Sequence, residues 1–317
     1  MPPLLRTAAC LAAAVLLSGA GPEKPYRITF IQSLAGNPFY NTVACGAQEA
    51  AKRLGVELDV QAPQQYQAAL QLRVLNAVIA ARPDGILFAA SDPVALTPTL
   101  QQAKEQGIKI LSIDGDVSDA SIAVANIQSD NVDGGKKAAE TLAGLIGDKG
   151  KVLALMNTPA PTVSAQRLEG FKQELAAHHP NIEFLGVQYS GNQTAKAASI
   201  VTSTIAAHPD LAGVFTITTN NTEGVATGVR EAGKIGQVKI VGFDTSDPIV
   251  EDIRKGIVDA DVVQYPYKVG QLGVEMMVAA LQGKPVERQV HTPFVIATPK
   301  TIDTPEVQQF VYKTRCQ

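Results

Sequence analysis

The run Val238-Lys239-Ile240-Val241-Gly242-Phe243 breaks at a glycine and delivers a carboxylate, Asp244, just beyond it; Ile108 to Ile113 ends the same way at Asp114. In an open parallel α/β sheet, ligands sit in the crevice outside the carboxyl ends of the strands, where both aspartates emerge. Asp also favours turns and helix caps, so Asp244 reads equally as a strand terminator or as a ligand group. Near the amino end, Asn37 opens a helix whose next residues include Phe39 and Tyr40. Asn37 either caps that helix or offers its amide to a ligand, or does both. The two rings either start a core-facing helix or put one face on a ligand. Arg167 falls in the first turn of a helix predicted over 163–178, where a cation opposes the helix dipole, so a role in binding is favoured over a surface ion pair. Carboxylate, amide, guanidinium and aromatic ring together make a hydrogen-bonding clamp.

Nothing in the chain pairs these groups with a nucleophile or a cofactor cradle. There is no G-x-G-x-x-G and no G-x-S-x-G, and Gly150-Lys151 is followed by Val152 with Leu at position 145, so there is no P-loop. Asp114-Gly115-Asp116-Val117-Ser118-Asp119 lacks the sixth-position glycine of a calcium loop, and Ala125 stands where its last ligand would be. The histidines, at 178, 179, 208 and 291, show no metal-ligand spacing. A non-enzymatic protein without cofactor or metal is expected.

The elements that must position the clamp alternate. Strands are predicted over 26–32, 56–61, 84–89 and 108–113, with helices over 39–54, 67–81 and 95–106 between them. The pattern resumes after Ser129-Asp130-Asn131 with helices over 132–146, 163–178, 194–207 and 222–232, and strands over 151–156, 182–189, 211–217 and 238–244. A helix over 248–255, a strand over 258–264, a helix over 267–281 and a last strand over 292–297 precede a tail. Such alternation means βαβ units and parallel sheets. Residues 55–88 and 182–215 read as copies of one another, down to Ala-Ala-Arg-Pro-Asp at 80–84 and Ala-Ala-His-Pro-Asp at 206–210. A repeat of that size argues for two similar lobes with a ligand cleft between them.

The first twenty residues stand apart: Arg6, an apolar run from Ala8 to Leu17, then Ser18-Gly19-Ala20. This is the grammar of a secretory signal peptide cleaved after Ala20, which predicts an exported protein. Its removal leaves 26 basic against 30 acidic residues, a balance that argues against nucleic acid as a partner. Two cysteines, Cys45 and Cys316, then remain. An even count in an exported chain points to a disulfide, against the alternative of two unrelated buried thiols.

In this order, Asn37-Pro38-Phe39-Tyr40, Ser129-Asp130-Asn131 with Gly134-Gly135, Arg167-Leu168-Glu169-Gly170-Phe171, Val241-Gly242-Phe243-Asp244 and Gln264 resemble the type I periplasmic solute-binding proteins of ABC sugar transporters, in particular the ribose-binding-protein-like group. The resemblance runs from about Tyr26 to about Thr298. It implies two doubly wound parallel-sheet lobes joined by a three-crossing hinge: residues 26–129 with 265–293, and 130–264 with 294–303, followed by a tail over 304–317 that the disulfide would tie back to the first lobe. It implies a periplasmic protein, a monomer, that clamps a small sugar or polyol and delivers it to an ABC permease, or alternatively presents it to a chemoreceptor or sensor kinase. It places ligand contacts at Asn37, Phe39 or Tyr40, Asp114, Arg167, Asp244 and Gln264, and at Asn220 or Asn221 in the loop after the strand over 211–217. Ser33, Asp116 and Asn192 are weaker candidates. Two departures argue against ribose itself: Gly115 follows Asp114 where the ribose binders carry an arginine, and Asn192 replaces the stacking aromatic of the second lobe.

Overall fold

The computed structural model describes residues 24–115, 117–159 and 163–316. The stretch 1–20, expected to be a signal peptide, and the weaker site candidate Asp116 lie outside the described residues. In chain order the elements are β1 (Arg27–Ile31), α1 (Pro38–Leu54), β2 (Glu57–Gln61), α2 (Ala68–Ala81), β3 (Gly85–Phe88), α3 (Pro93–Glu105), β4 (Lys109–Ile113), β5 (Ala123–Ser129), α4 (Asn131–Ile146), β6 (Gly150–Met156), α5 (Val163–His178), β7 (Ile182–Tyr189), α6 (Thr194–Ala207), β8 (Leu211–Thr216), α7 (Thr219–Glu231), β9 (Lys239–Phe243), α8 (Asp247–Arg254), β10 (Ala260–Val263), α9 (Pro266–Leu281), β11 (Gln289–Thr292), β12 (Val295–Ala297) and α10 (Pro305–Gln308).

They build two six-stranded sheets, ordered β11-β5-β4-β3-β1-β2 and β12-β10-β9-β8-β6-β7. Every pairing of the first sheet is parallel, and in the second only β12 runs antiparallel, against β10. The α/β class and the doubly wound parallel sheets read from the sequence are therefore present. Central strands such as β3 and β10 are buried along their whole length, because helices cover both faces of a parallel sheet. The repeated segments fall at matching places: β2-α2-β3 flanks β1 as β7-α6-β8 flanks β6. Strand order reverses at β1 and at β6, and the crevice at such a switch point is where doubly wound sheets bind ligands.

Three elements differ from the sequence reading. β5 is a full strand over a stretch, Ala123–Ser129, that carries no glycine or proline bracket on its exit and runs straight into α4. The last predicted strand, 292–297, is two short ones on different sheets, since Pro293 cannot donate to a ladder and the chain changes sheet there. α7 starts at Thr219 rather than Thr222, which matters for the site.

The helix carrying Arg167 is set by close approach. A Cβ on Gly135 would lie 1.9 Å from the Arg167 carbonyl oxygen, and one on Gly170 would lie 1.9 Å from that of Val132. Glycine at both positions lets α4 and α5 touch backbone to backbone, which brings Arg167 beside the chain crossing at Asn131.

Candidate ligand site

A cavity of about 570 Å³ opens between the carboxyl ends of the two sheets. Its first wall comes from the turn and first helical residues after β1. Asn37 Oδ1 accepts from the backbone N–H of Phe39 (2.9 Å) and Tyr40 (3.3 Å), and Pro38 sits at the first helical position. The capping oxygen is thus occupied, while the Asn37 amide N–H₂ has no such duty and lines the cavity. Phe39 and Tyr40 both reach the wall, packed edge to face at 5.2 Å. Tyr40 donates its hydroxyl to Asp114 Oδ2 at 2.9 Å.

Asp114 and Asp244 both adopt left-handed backbone, with φ of 55° and 76°. For a residue with a Cβ this costs roughly 1 kcal/mol, less for Asp than for most, and such strained positions cluster at functional sites. Burial lifts the Asp114 carboxyl to about 7; the nearby Arg167 charge and the Tyr40 hydrogen bond pull it down, and the Asp244 charge pushes it up again. Asp244 Oδ1 accepts from Gln264 Nε2 at 2.8 Å and from the Tyr312 hydroxyl.

Arg167 is buried, and it is the fifth residue of α5 rather than a member of its first turn. Its Nε donates to Asn131 Oδ1 (2.9 Å), one Nη donates to the Ile217 carbonyl (3.0 Å) and lies 3.5 Å from Asp244 Oδ2. The guanidinium lies over the Phe243 ring, 3.8 Å from its centre. These partners offset the cost of burying a cation. Asn131 in turn donates to the Ser129 carbonyl at 3.1 Å, so one chain of contacts runs from the lobe crossing to the strand-end carboxylate.

Of the residues singled out from the sequence, Asn37, Phe39, Tyr40, Asp114, Arg167, Asn192, Asn220, Asp244 and Gln264 share this cavity wall. Two do not. Because α7 begins early, Asn221 is turned inward, donating to the Leu155 carbonyl (3.2 Å) and accepting from Ser190 Oγ, while Asn220 faces the cavity and donates to the Asn192 carbonyl at 3.1 Å. Ser33 is wholly buried behind the wall. The wall also contains Tyr66, Asn157, Ser164, Thr218 and Tyr312, none of which the sequence reading named. Asn157 directly follows β6, so the strand-end rule applied to every strand finds it. Tyr312 has no local signal: it arrives on the tail.

The Cys45–Cys316 disulfide is present, with Cα atoms 5.1 Å apart. No group of three or more His, Cys, Asp and Glu side chains that would hold a metal occurs among the described residues, and none of their helices is long and apolar enough to cross a membrane.

Two like sheets facing each other across a cavity of hydrogen-bonding groups define a two-lobed solute-binding protein. A profile of the periplasmic binding protein domain matches residues 28–285, and the chain belongs to that family. It is 29% identical over 286 residues to the ribose import binding protein RbsB of Salmonella typhimurium, covering 89% of this chain and 95% of that protein. An ABC transporter solute-binding protein from Agrobacterium vitis, solved with α-D-tagatopyranose, is 35% identical with a TM-score of 0.87, over 91% of this chain and 99% of the other. One from Agrobacterium radiobacter, solved with D-arabinose, is 26% identical with a TM-score of 0.85, over 90% and 99%. All are named as binding proteins, in keeping with the expectation that no reaction is catalysed.

Proposed function

We propose that this chain captures a small sugar or polyol between its lobes and delivers it to the permease of an ABC importer. One observation carries the substrate class. Asp114, Asn157, Thr218 and Gln264 line the cavity, and their Oδ1, Oδ1, Oγ1 and Oε1 atoms are buried without a hydrogen-bond partner in the protein. An unpaired buried polar atom costs about 1–3 kcal/mol, so such a cluster calls for a ligand that brings its own donors. The two amide oxygens only accept, Asp114 Oδ1 joins them once its carboxyl is ionised, and hydroxyl hydrogens distributed around a ring answer them. The amide N–H₂ groups of Asn37 and Asn220 and the Arg167 guanidinium supply donors for the hydroxyl oxygens, and Phe39 supplies a face for C–H bonds.

The lobes close about crossings at 129–131, 264–266 and 293–294. A shift from 1:99 to 99:1 closed needs roughly 5.5 kcal/mol of differential affinity, and a micromolar complex needs about 8.2 kcal/mol in total. Several hydrogen bonds to charged groups, at about 1.5–3 kcal/mol each, supply that.

Gly115 puts no cation beside Asp114; its α-carbon faces Val163, whose Cγ1 would be 3.6 Å from an added Cβ. With Asn192 on the opposite wall, the reading favours another pentose, a furanose form, a deoxy sugar or a polyol over ribose. The same reading places the protein in the periplasm as a monomer, with residues 1–20 removed on export.

Thermal-shift screening of the mature protein against pentoses, hexoses, furanoses and polyols tests it. A sugar or polyol that raises the melting temperature is expected. A response to amino acids or nucleosides with none to sugars overturns the substrate class.

A further inference from the structure

The tail does not end on the lobe it starts from. Thr304 caps α10 beside β12, and Gln308 Nε2 donates to the Ile302 carbonyl at 2.7 Å. Phe310 stacks at 4.3 Å on Tyr265, at the crossing over 264–266, and the backbone N–H of Tyr312 still donates to the second lobe, at Thr245 Oγ1 (3.1 Å). One residue later the partners change. The Lys313 N–H donates to Thr42 Oγ1 at 2.6 Å, its ammonium lies 4.8 Å from the centre of the Tyr267 ring, and Cys316 is bonded to Cys45. Thr42 and Cys45 lie on α1 and Tyr267 on α9, two helices that pack together against the first sheet. The chain therefore crosses between the lobes a further time, between Tyr312 and Lys313, and a covalent bond anchors the far side.

At that crossing Tyr312 turns into the cavity. Its ring meets Phe39 edge to face at 5.7 Å, and its hydroxyl donates to Asp244 Oδ1. With Gln264 Nε2 on the same oxygen, Oδ1 is filled, and Asp244 Oδ2 is the oxygen left to receive a ligand hydroxyl. A phenol that donates to a carboxylate keeps its own oxygen lone pairs as acceptors. Asp244 Oδ2 and Tyr312 Oη together form a pair of neighbouring acceptors, the pattern that takes two hydroxyls on adjacent carbons.

We propose that Tyr312 is a specificity-determining residue of the ligand site, reading a vicinal diol together with Asp244, and that the Cys45–Cys316 bond holds it there by strapping the tail to the first lobe. The proposal rests on the sugar reading above and adds to it the part of the sugar that is read. Two adjacent free hydroxyls are required of the ligand, and a deoxy analogue lacking one of them escapes Tyr312.

Calorimetric titration of wild type, Tyr312→Phe and the Cys45→Ala/Cys316→Ala double variant with D-tagatose, D-arabinose, D-ribose, D-allose and D-fucose, and with monodeoxy analogues of whichever binds best, is the test. Tyr312→Phe keeps the ring and is expected to weaken the best sugar about 3- to 10-fold, the scale of a lost hydrogen bond between neutral groups. It should weaken by less than 2-fold the analogue lacking the hydroxyl that Tyr312 accepts. Equal weakening of the parent and all its analogues, or none, overturns the assignment and reduces Tyr312 to packing. Hydrogen exchange at the Tyr312 and Lys313 amides reads the strap without any ligand. Protection in the oxidised protein that is lost in the double variant, and equally in wild type reduced under native conditions, supports it; equal protection throughout overturns it. Should wild type bind none of the five sugars, the best binder from the thermal-shift screen takes their place; a screen with no sugar or polyol response overturns the sugar reading and Tyr312's role in it, and exchange alone still decides the strap.

Discussion

Asp114 and Asp244 are one position in two copies of the same architecture. Each directly follows the fourth strand of its repeat, β4 or β9, in left-handed backbone, and each donates its N–H to the strand alongside, at Ile127 O (2.9 Å) and Val262 O (3.0 Å). Each carboxylate also receives a tyrosine hydroxyl, from Tyr40 on α1 and from Tyr312 on the tail. The cleft is therefore lined by a pair of matched carboxylates, with one buried guanidinium among the described residues, Arg167, close to the second.

This pairing has a pH consequence. Asp114 is raised by burial to about 7, so the folded ligand-free protein holds a proton that the unfolded chain releases near 4. A carboxyl raised on folding contributes stability that is complete below its unfolded value and lost as the pH climbs through its folded value. The Asp114 contribution should therefore fall between about pH 4 and pH 7, and melting temperatures of wild type and Asp114→Asn across that range should converge or cross. A ligand hydroxyl donating to Asp114 favours the charged form, so affinity should rise toward pH 7 with proton release. Titrations in buffers of different ionisation heat measure that release, and a wild-type affinity flat from pH 5 to pH 8 would contradict it.

Arg167→Ala should weaken sugar binding by about 100-fold, and it should also lower stability. Loss of the side chain leaves Asn131 Oδ1 and the Ile217 carbonyl without their buried donor, at about 1–3 kcal/mol for each group so exposed. Circular dichroism melts and titration of Arg167→Ala and Arg167→Lys together check this. Unchanged affinity in both would remove Arg167 from the ligand set and leave it as the brace of the crossing.

Asn220 and Asn221 are neighbours in sequence with opposite expected phenotypes. Asn220→Ala should cut affinity by about 5- to 10-fold with stability within about 0.5 kcal/mol of wild type. Asn221→Ala strips partners from Ser190 Oγ and the Leu155 carbonyl in the interior, and should cost about 1–3 kcal/mol of stability. Denaturant melts beside ligand titrations separate the two, and a reversed pattern would place Asn221 in the cavity.

The disulfide joins residues 271 positions apart. Protein purified from an oxidising compartment should show no free thiol after denaturation, and the Cys45→Ala/Cys316→Ala variant should lose roughly 2–4 kcal/mol. Thiol titration and denaturant melts measure both, and a free thiol in the denatured wild type would contradict the bond.

Much of this was written in one dimension. Alternating apolar runs and amphipathic segments of βαβ length, with glycine or aspartate at their ends, are local features, and they specify two parallel sheets because such strands bury both faces. The repeat at 55–88 and 182–215 reveals the doubling, and strand-end geometry alone places Asp114 and Asp244 at the cleft. Whatever depends on which residues meet at long range was decided in three dimensions. The one-turn difference in where α7 begins turns Asn220 out and Asn221 in, because successive helical positions are about 100° apart. Tyr312 joins the wall because the tail crosses between lobes and is bonded to α1, a contact that no periodicity within the tail encodes. Local sequence sets the period and ends of an element; the partners of a side chain are set by packing between segments hundreds of residues apart.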